Sequence, residues 1–166
     1  MSNIFLLADA HFGHENIIKV RPFSTIEEHD EVILDNIKTV VCKRDVIYFV
    51  GDICVSKKSL EYIKSINCLK KMLIIGNHDI GFREKITLND LIETYDDVVA
   101  MFKKQNYAIT HIPVHEGSIR CKYNIHGHLH DKVIDNPRYF SVSCERINYT
   151  PVKLTTINDY YKEINI

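Results

Sequence analysis

Ile4-Phe5-Leu6-Leu7-Ala8-Asp9-Ala10-His11 is the stretch on which the fold turns. Its continuous apolar run is short enough to be a strand, and a strand without polar alternation is one buried on both faces, as in the middle of a parallel sheet. The run stops at an aspartate, and a histidine follows two residues on. Side chains alternate across an extended chain, so Asp9 and His11 can point to one side if the extended conformation persists. The same grammar recurs down the chain. Val46-Ile47-Tyr48-Phe49-Val50 leads into Gly51-Asp52, Met72-Leu73-Ile74-Ile75 into Gly76-Asn77-His78-Asp79, and Tyr107-Ala108-Ile109-Thr110 into His111. Gly127-His128-Leu129-His130 then repeats the spacing of Asp9 and His11. Each candidate lies at the C-terminal end of a predicted strand, where open α/β sheets place their ligand crevices. Gly51, Gly76 and Gly127 permit tight turns or close backbone approach where the chain leaves a strand.

Taken singly, these motifs say little. Gly-Asp after a strand is commonplace as a turn, Asn and Asp favour turns for backbone reasons, and a histidine near a strand end is usually a hydrogen-bonded core or surface residue. Their series, each after its own apolar run, carries the reading of a two-metal phosphoester-hydrolysing site. Of the remaining histidines, His29 is expected to face solvent on a helix and His115 to lie in a loop. His14 and His126 each flank a motif and are candidates for support of it.

The order of motifs resembles the calcineurin-like metallophosphoesterase superfamily from Asp9 to His130. His11-Phe12-Gly13-His14-Glu15-Asn16-Ile17-Ile18 with Arg21-Pro22-Phe23 further resembles a small bacterial and phage subgroup of it. The resemblance implies an α/β fold, a four-layered α/β/β/α sandwich of two mixed sheets, and a dinuclear metal centre. One metal would be held by Asp9, His11, Asp52 and His130, the second by Asp52, Asn77, His111 and His128, with Asp52 bridging. His78, oriented by Asp79, would be the acid that protonates the leaving oxygen after attack by a hydroxide held between the metals. His14, Arg21 and His126 would bind substrate or support the ligands.

These residue types suit that chemistry. A phosphodiester anion repels hydroxide, so hydrolysis needs positive charge near the phosphoryl oxygens and an activated water, which two divalent ions provide together. A carboxylate can bridge two ions, as asked of Asp52, while Asn77 brings an amide oxygen without further negative charge. Imidazole and oxygen ligands without thiolate suit Mn²⁺, the expected cofactor, and equally Fe, Zn²⁺, Ni²⁺ or Co²⁺. The expected substrate is a small phosphodiester such as a nucleotide or cyclic nucleotide, with phosphomonoesterase and nuclease as the alternatives.

A chain of 166 residues, 45% of them hydrophobic, is enough for one compact domain spanning 1–166. The short interval between His78 and His111 leaves little room for a cap domain, so the site should be open. A net charge of −1 gives no electrostatic reason to bind long nucleic acid. Arg21, Arg83, Lys103, Lys104, Arg120, Lys122 and Arg138 could form a local basic rim, although solvated surface charge is the plainer reading. Cys42, Cys54, Cys68, Cys121 and Cys144 are scattered without a C-x-x-C and read as reduced, mostly buried residues of a cytoplasmic protein. No apolar run approaches a membrane span, and no membrane partner is expected.

Between the motifs, Thr25-Ile26-Glu27-Glu28 reads as a capping box opening a helix whose apolar face carries Ile26, Ile33, Ile37, Val40 and Val41. Shorter helices are expected over 59–66 and around Asn89-Asp90-Leu91-Ile92, and a last one over 157–164. Short strands are expected at 98–102, 107–110, 123–126, 139–143 and 151–155, giving two sheets packed face to face with helices outside. Two rivals fit less well. A zinc amidohydrolase carries its His-x-His on the first strand of a barrel of roughly 250 residues, whereas here the pair comes last in a shorter chain. A non-catalytic scaffold would be expected to lose a ligand or the acid.

Overall fold

The computed structural model describes residues 2–81 and 86–164, and these form an α/β fold of two mixed sheets and four α-helices. The first sheet contains β1 (Ile4–Leu7), β2 (Val46–Phe49), β3 (Lys70–Ile74), β4 (Asp97–Val99) and β9 (Val152–Lys153) in the order β4-β3-β2-β1-β9. Its first four strands run parallel, and β9 is antiparallel to β1. The second sheet contains β5 (Met101–Lys104), β6 (Tyr107–Thr110), β7 (Tyr123–His126) and β8 (Tyr139–Ser141) in that order. Here β5 and β6 are antiparallel, and β6, β7 and β8 run parallel.

Alternation along the central strands explains their unbroken apolar runs, because each face has its own core. Phe5, Leu7, Ile47, Phe49 and Leu73 pack with Ile33 and Ile37 of α1 (Ile26–Val40), Ile63 of α2 (Leu60–Lys64) and Leu91 of α3 (Leu88–Thr94). Leu6, Tyr48, Met72 and Ile74 instead meet Tyr107, Ile109, Tyr123 and Ile125 of the second sheet. Burying each such side chain contributes roughly 1.5–3 kcal/mol. The last helix, α4 (Leu154–Glu163), adds Leu154, Ile157 and Tyr161 to this inter-sheet core, with the Tyr161 ring stacked 3.6 Å from that of Tyr123. The far side of the second sheet is tied to the segment after β6: Asn124 Oδ1 accepts from the Val114 N–H, and the Tyr139 hydroxyl donates to the Val114 carbonyl.

Several expected elements change form. The run 98–102 divides at Ala100, with β4 in one sheet and β5 in the other. The run 151–155 gives only the two residues of β9 before α4 begins at Leu154. Thr25 does cap α1, accepting from the Glu28 N–H at 3.1 Å, but the Glu28 carboxylate takes the Ser24 N–H and not that of Thr25. The full reciprocal capping box is at Thr87 and Asp90, where α3 begins. The cysteines are free, and only Cys54 and Cys144 are buried. Among the described residues no helix is long and apolar enough to cross a membrane.

Candidate metal centre

Because β1, β2 and β3 are parallel, their C-terminal ends share one edge of the first sheet, and the ends of parallel β6 and β7 face them from the second. The loops leaving these strands are laced together. Asp9 N–H donates to the Gly51 carbonyl, His11 N–H to that of Asp52 and Gly127 N–H to that of His111. The extended conformation does not persist from Asp9 to His11, nor from His128 to His130. Asp9, His11, Asp52, His128 and His130 all have left-handed backbones, with φ of 56°, 51°, 55°, 70° and 54°. The side chains converge through sharp turns and not through strand alternation. Two glycines make room for this. Gly51 has φ +82° with the His111 ring against it, and a Cβ on Gly76 would fall on the Asp52 carboxylate.

Two groups of candidate ligands result. Asp9, His11 and His130 offer ligand atoms that all lie within 4.8 Å of one another, and so do Asp52, His111 and His128. Asp52 stands between the groups. Its Oδ2 lies 3.2 Å from His111 Nε2, 3.9 Å from His11 Nε2 and 4.0 Å from His78 Nε2. Asn77 joins the second group through Oδ1, 3.1 Å from His111 Nε2. The Nδ1 of His111 faces the Val50 carbonyl at 2.9 Å, and since a carbonyl only accepts, this nitrogen carries the hydrogen and Nε2 is aimed at the site.

The electrostatics of the centre are those of buried carboxylates and imidazoles held close together. Burial pushes the Asp9 carboxyl up to about 6, against the opposing pull of His111. Burial also raises the Asp52 carboxyl, but the hydrogen bond and charge of His111, with the His78 N–H and His11, outweigh it and hold Asp52 below the usual carboxylate range. His111 is pushed down by burial and carried up to about 8 by Asp52. His11 is 3% exposed, its pKa drawn well below the usual value by burial, and neither ring nitrogen has a hydrogen-bond partner among the described residues. A buried imidazole without a partner is costly. A divalent cation fits this donor set of carboxylate, imidazole and amide oxygen, and would give His11 its missing partner.

The other expected residues fall around this centre. His78 stands at the mouth with its side chain 34% exposed and its backbone N–H on Asp52 Oδ1 at 2.7 Å. Asp79, expected to orient His78, places its carboxylate on the backbone N–H groups of Asp52, Ile53 and Gly76, so it fixes the spacing of the two loops. His14 lies beside His11 with ring centroids 5.6 Å apart. His126 is buried on β7 with Nδ1 2.8 Å from the Gly127 carbonyl, at the turn into His128. Arg21 is buried below the site. Arg138 bonds to the carbonyls of Cys121 and Lys122, so Arg21 and Arg138 of the expected basic rim are engaged within the fold; Arg83 lies outside the described residues.

His29 requires a correction. It is fully buried and bonds to both Arg21 and Asp30, where solvent exposure was expected. The signal was present: His29 precedes Ile33 and Ile37 by one and two helical steps of four and so shares their buried face. Glu145 was missed as well. Its Oε1 lies 2.9 Å from His130 Nδ1, and burial, which would raise its carboxyl, is outweighed by His130 and Arg21 so that it sits at about 2. Nothing local in Ser143-Cys144-Glu145 points to a ligand 15 residues away in the chain; only the fold brings them together.

No family model matches the chain. It is 35% identical to the uncharacterized protein MJ1445 of Methanocaldococcus jannaschii over 95% of this chain and 90% of that protein. It is 33% identical over 48% of its length to the Gene 66 protein of Mycobacterium phage L5, of which 41% is covered. Among solved structures, the protein of unknown function AQ665 from Aquifex aeolicus superposes with a TM-score of 0.77 at 22% identity, over 96% of this chain and all of that one. That likeness shows a shared fold.

Proposed function

The chain belongs to the family of the uncharacterized protein MJ1445 of Methanocaldococcus jannaschii, and we propose that it is a dinuclear metal-dependent phosphoesterase of the calcineurin-like type. The observation that carries the reading is the placement of Asp52 Oδ2 between two separate His/Asp groups, within 4 Å of imidazoles from both. Asp9, His11, Asp52 and His130 would hold one ion, and Asp52, Asn77, His111 and His128 the other. The two facing sheets would then be the inner layers of the metallophosphoesterase sandwich.

Bound divalent ions supply positive charge for the phosphoryl oxygens and lower the pKa of water. The protein's own residues do the rest. The buried floor of Asp9, His11, Asp52 and His111 keeps bulk solvent from the ligands' far side. Asn77, exposed at the edge, adds an oxygen without charge, which leaves the centre more positive toward an anionic substrate. His78 at the mouth would give its proton to the leaving oxygen as the P–O bond breaks, a contribution of about 10²- to 10⁴-fold for a poor leaving group. A small phosphodiester, such as a nucleotide or cyclic nucleotide, is the preferred substrate and a phosphomonoester the alternative; Mn²⁺ is the preferred metal.

The test is a comparison of 2′,3′-cyclic nucleotides, bis(p-nitrophenyl) phosphate and p-nitrophenyl phosphate on chelator-stripped protein with and without Mn²⁺. Turnover should require Mn²⁺, favour the diesters and fall at least 10²-fold in Asp52→Asn. Turnover that survives chelation, or is unchanged in Asp52→Asn, would sink the reading. Mn²⁺ binding without turnover of any ester would favour a non-catalytic role.

A further inference from the structure

Beneath the first group of ligands lies a buried ion pair that the reaction itself does not use. Arg21 Nε and Nη2 donate to Glu145 Oε1 at 2.8 and 2.7 Å, with the Arg21 side chain fully buried and that of Glu145 14% exposed. The other guanidinium hydrogens go to the Asp9 carbonyl at 2.6 Å, the Ala10 carbonyl at 3.2 Å and His29 Nε2 at 2.8 Å. A guanidinium has five N–H groups, and these contacts engage all of them, so Arg21 has no donor left for a substrate phosphate.

The direction of each bond follows from the chemistry. Since a guanidinium only donates, His29 Nε2 accepts, and its Nδ1–H donates to Asp30 Oδ1 at 2.8 Å. Asp30 Oδ2 in turn accepts the Gly13 N–H at 2.9 Å. At the other end Glu145 Oε1 can only accept, so His130 carries its hydrogen on Nδ1, which leaves Nε2 as the nitrogen with a free lone pair. Glu145 reaches this place because Ser143-Cys144 lies along the end of β1, with Ala8 N–H on the Val142 carbonyl and Cys144 N–H on that of Ala8.

We propose that Arg21 and Glu145 are positioning residues that set the geometry and affinity of one metal site alone, the one formed by Asp9, His11 and His130. The proposal rests on the reading of those three as ligands. Its basis is selectivity. Arg21 holds the carbonyls inside the left-handed Asp9-Ala10-His11 turn and Glu145 holds the ring of His130, which is left-handed too. No contact of the pair reaches Asp52, His111 or His128 among the bonds of the described residues. A lysine cannot replace Arg21, because one ammonium cannot span two carbonyls, a carboxylate and an imidazole held in a plane.

The experiment is calorimetric titration of Mn²⁺ into the chelator-stripped full chain, with a thermal melt of each metal-free variant. The wild-type chain should show two classes of site. Glu145→Ala should weaken one class about 10- to 100-fold and leave the other unchanged. Glu145→Gln, whose amide oxygen still accepts from Nδ1, should lose less, and it carries the test if Glu145→Ala does not fold. In a His130→Ala background, adding Glu145→Ala should not alter the remaining site. Equal weakening of both classes, or no weakening in a folded variant, would overturn the proposal and leave the phosphoesterase reading intact. A wild-type chain that takes up no Mn²⁺ would overturn both.

Discussion

Asp9, His11, Asp52, His128 and His130 each occupy a backbone region that costs an L-residue of order 1–2 kcal/mol. Asp and His tolerate it better than most residue types, and here the turns aim five side chains at one space. The identities of these residues were legible in the sequence, since they cluster just beyond the predicted strands that became β1, β2 and β7. Their conformation was not, because alternation along a strand and a left-handed turn both bring residues two apart to one side. Burial leaves Asp9 with a carboxyl raised to about 6. A carboxyl raised above its unfolded value stabilises the fold below that value and loses the contribution as pH rises through the folded one. Stripped protein should therefore lose stability, of order 3 kcal/mol, between about pH 4 and pH 6 relative to Asp9→Asn. Saturating Mn²⁺, which favours the ionised form, should remove the difference, and paired urea titrations across that range check this. His78 gives the second residue-scale prediction. His78→Ala should retain both ions, lose about 10²- to 10⁴-fold in kcat on an alkyl or nucleoside ester, and lose much less on a nitrophenyl ester, whose leaving group departs unprotonated. Equal losses on the two substrates would make His78 a ligand or a structural residue.

At the scale of elements, β1, β2 and β3 were readable because a strand buried on both faces has no polar alternation to obscure it. The division of 98–102 between two sheets was not readable, since a local pattern of apolar residues does not record which sheet each half joins. In α1 the face through Ile33 and Ile37 was correctly placed, but the polarity of His29 hid its membership in that face; its partners Arg21 and Asp30 make the burial tolerable. The ends of helices were legible only in part, since Thr25 caps α1 without the reciprocal bond from Glu28, and the reciprocal box at α3 was not foreseen. Thr87 and Asp90 satisfy each other's backbone N–H groups at the start of α3, and Asp90 also takes Lys57 at 2.9 Å. Thr87→Ala should cost about 1 kcal/mol of stability in urea without changing Mn²⁺ affinity, because α3 lies on the helical side of the first sheet. A change in Mn²⁺ affinity would show that α3 is coupled to the centre.

For the whole molecule, the consequence is that the centre draws Asp9, Asp52 and Asn77 from loops of the first sheet and His111, His128 and His130 from loops of the second. Ions held there would join the two sheets across their shared core. Each site filled at a hundredfold excess over its dissociation constant should add about 2.7 kcal/mol to stability, and both sheets should melt together at the higher temperature. Asp52 stands between the two groups and is the residue proposed to serve both ions, so its coordination is the most direct measurement. Anomalous diffraction from a crystal of the full chain grown with Mn²⁺ should show two peaks, one among Asp9, His11 and His130 and one among Asn77, His111 and His128, each within coordination distance of an Asp52 carboxylate oxygen. A single peak, or two peaks of which either lies away from Asp52, would contradict the account.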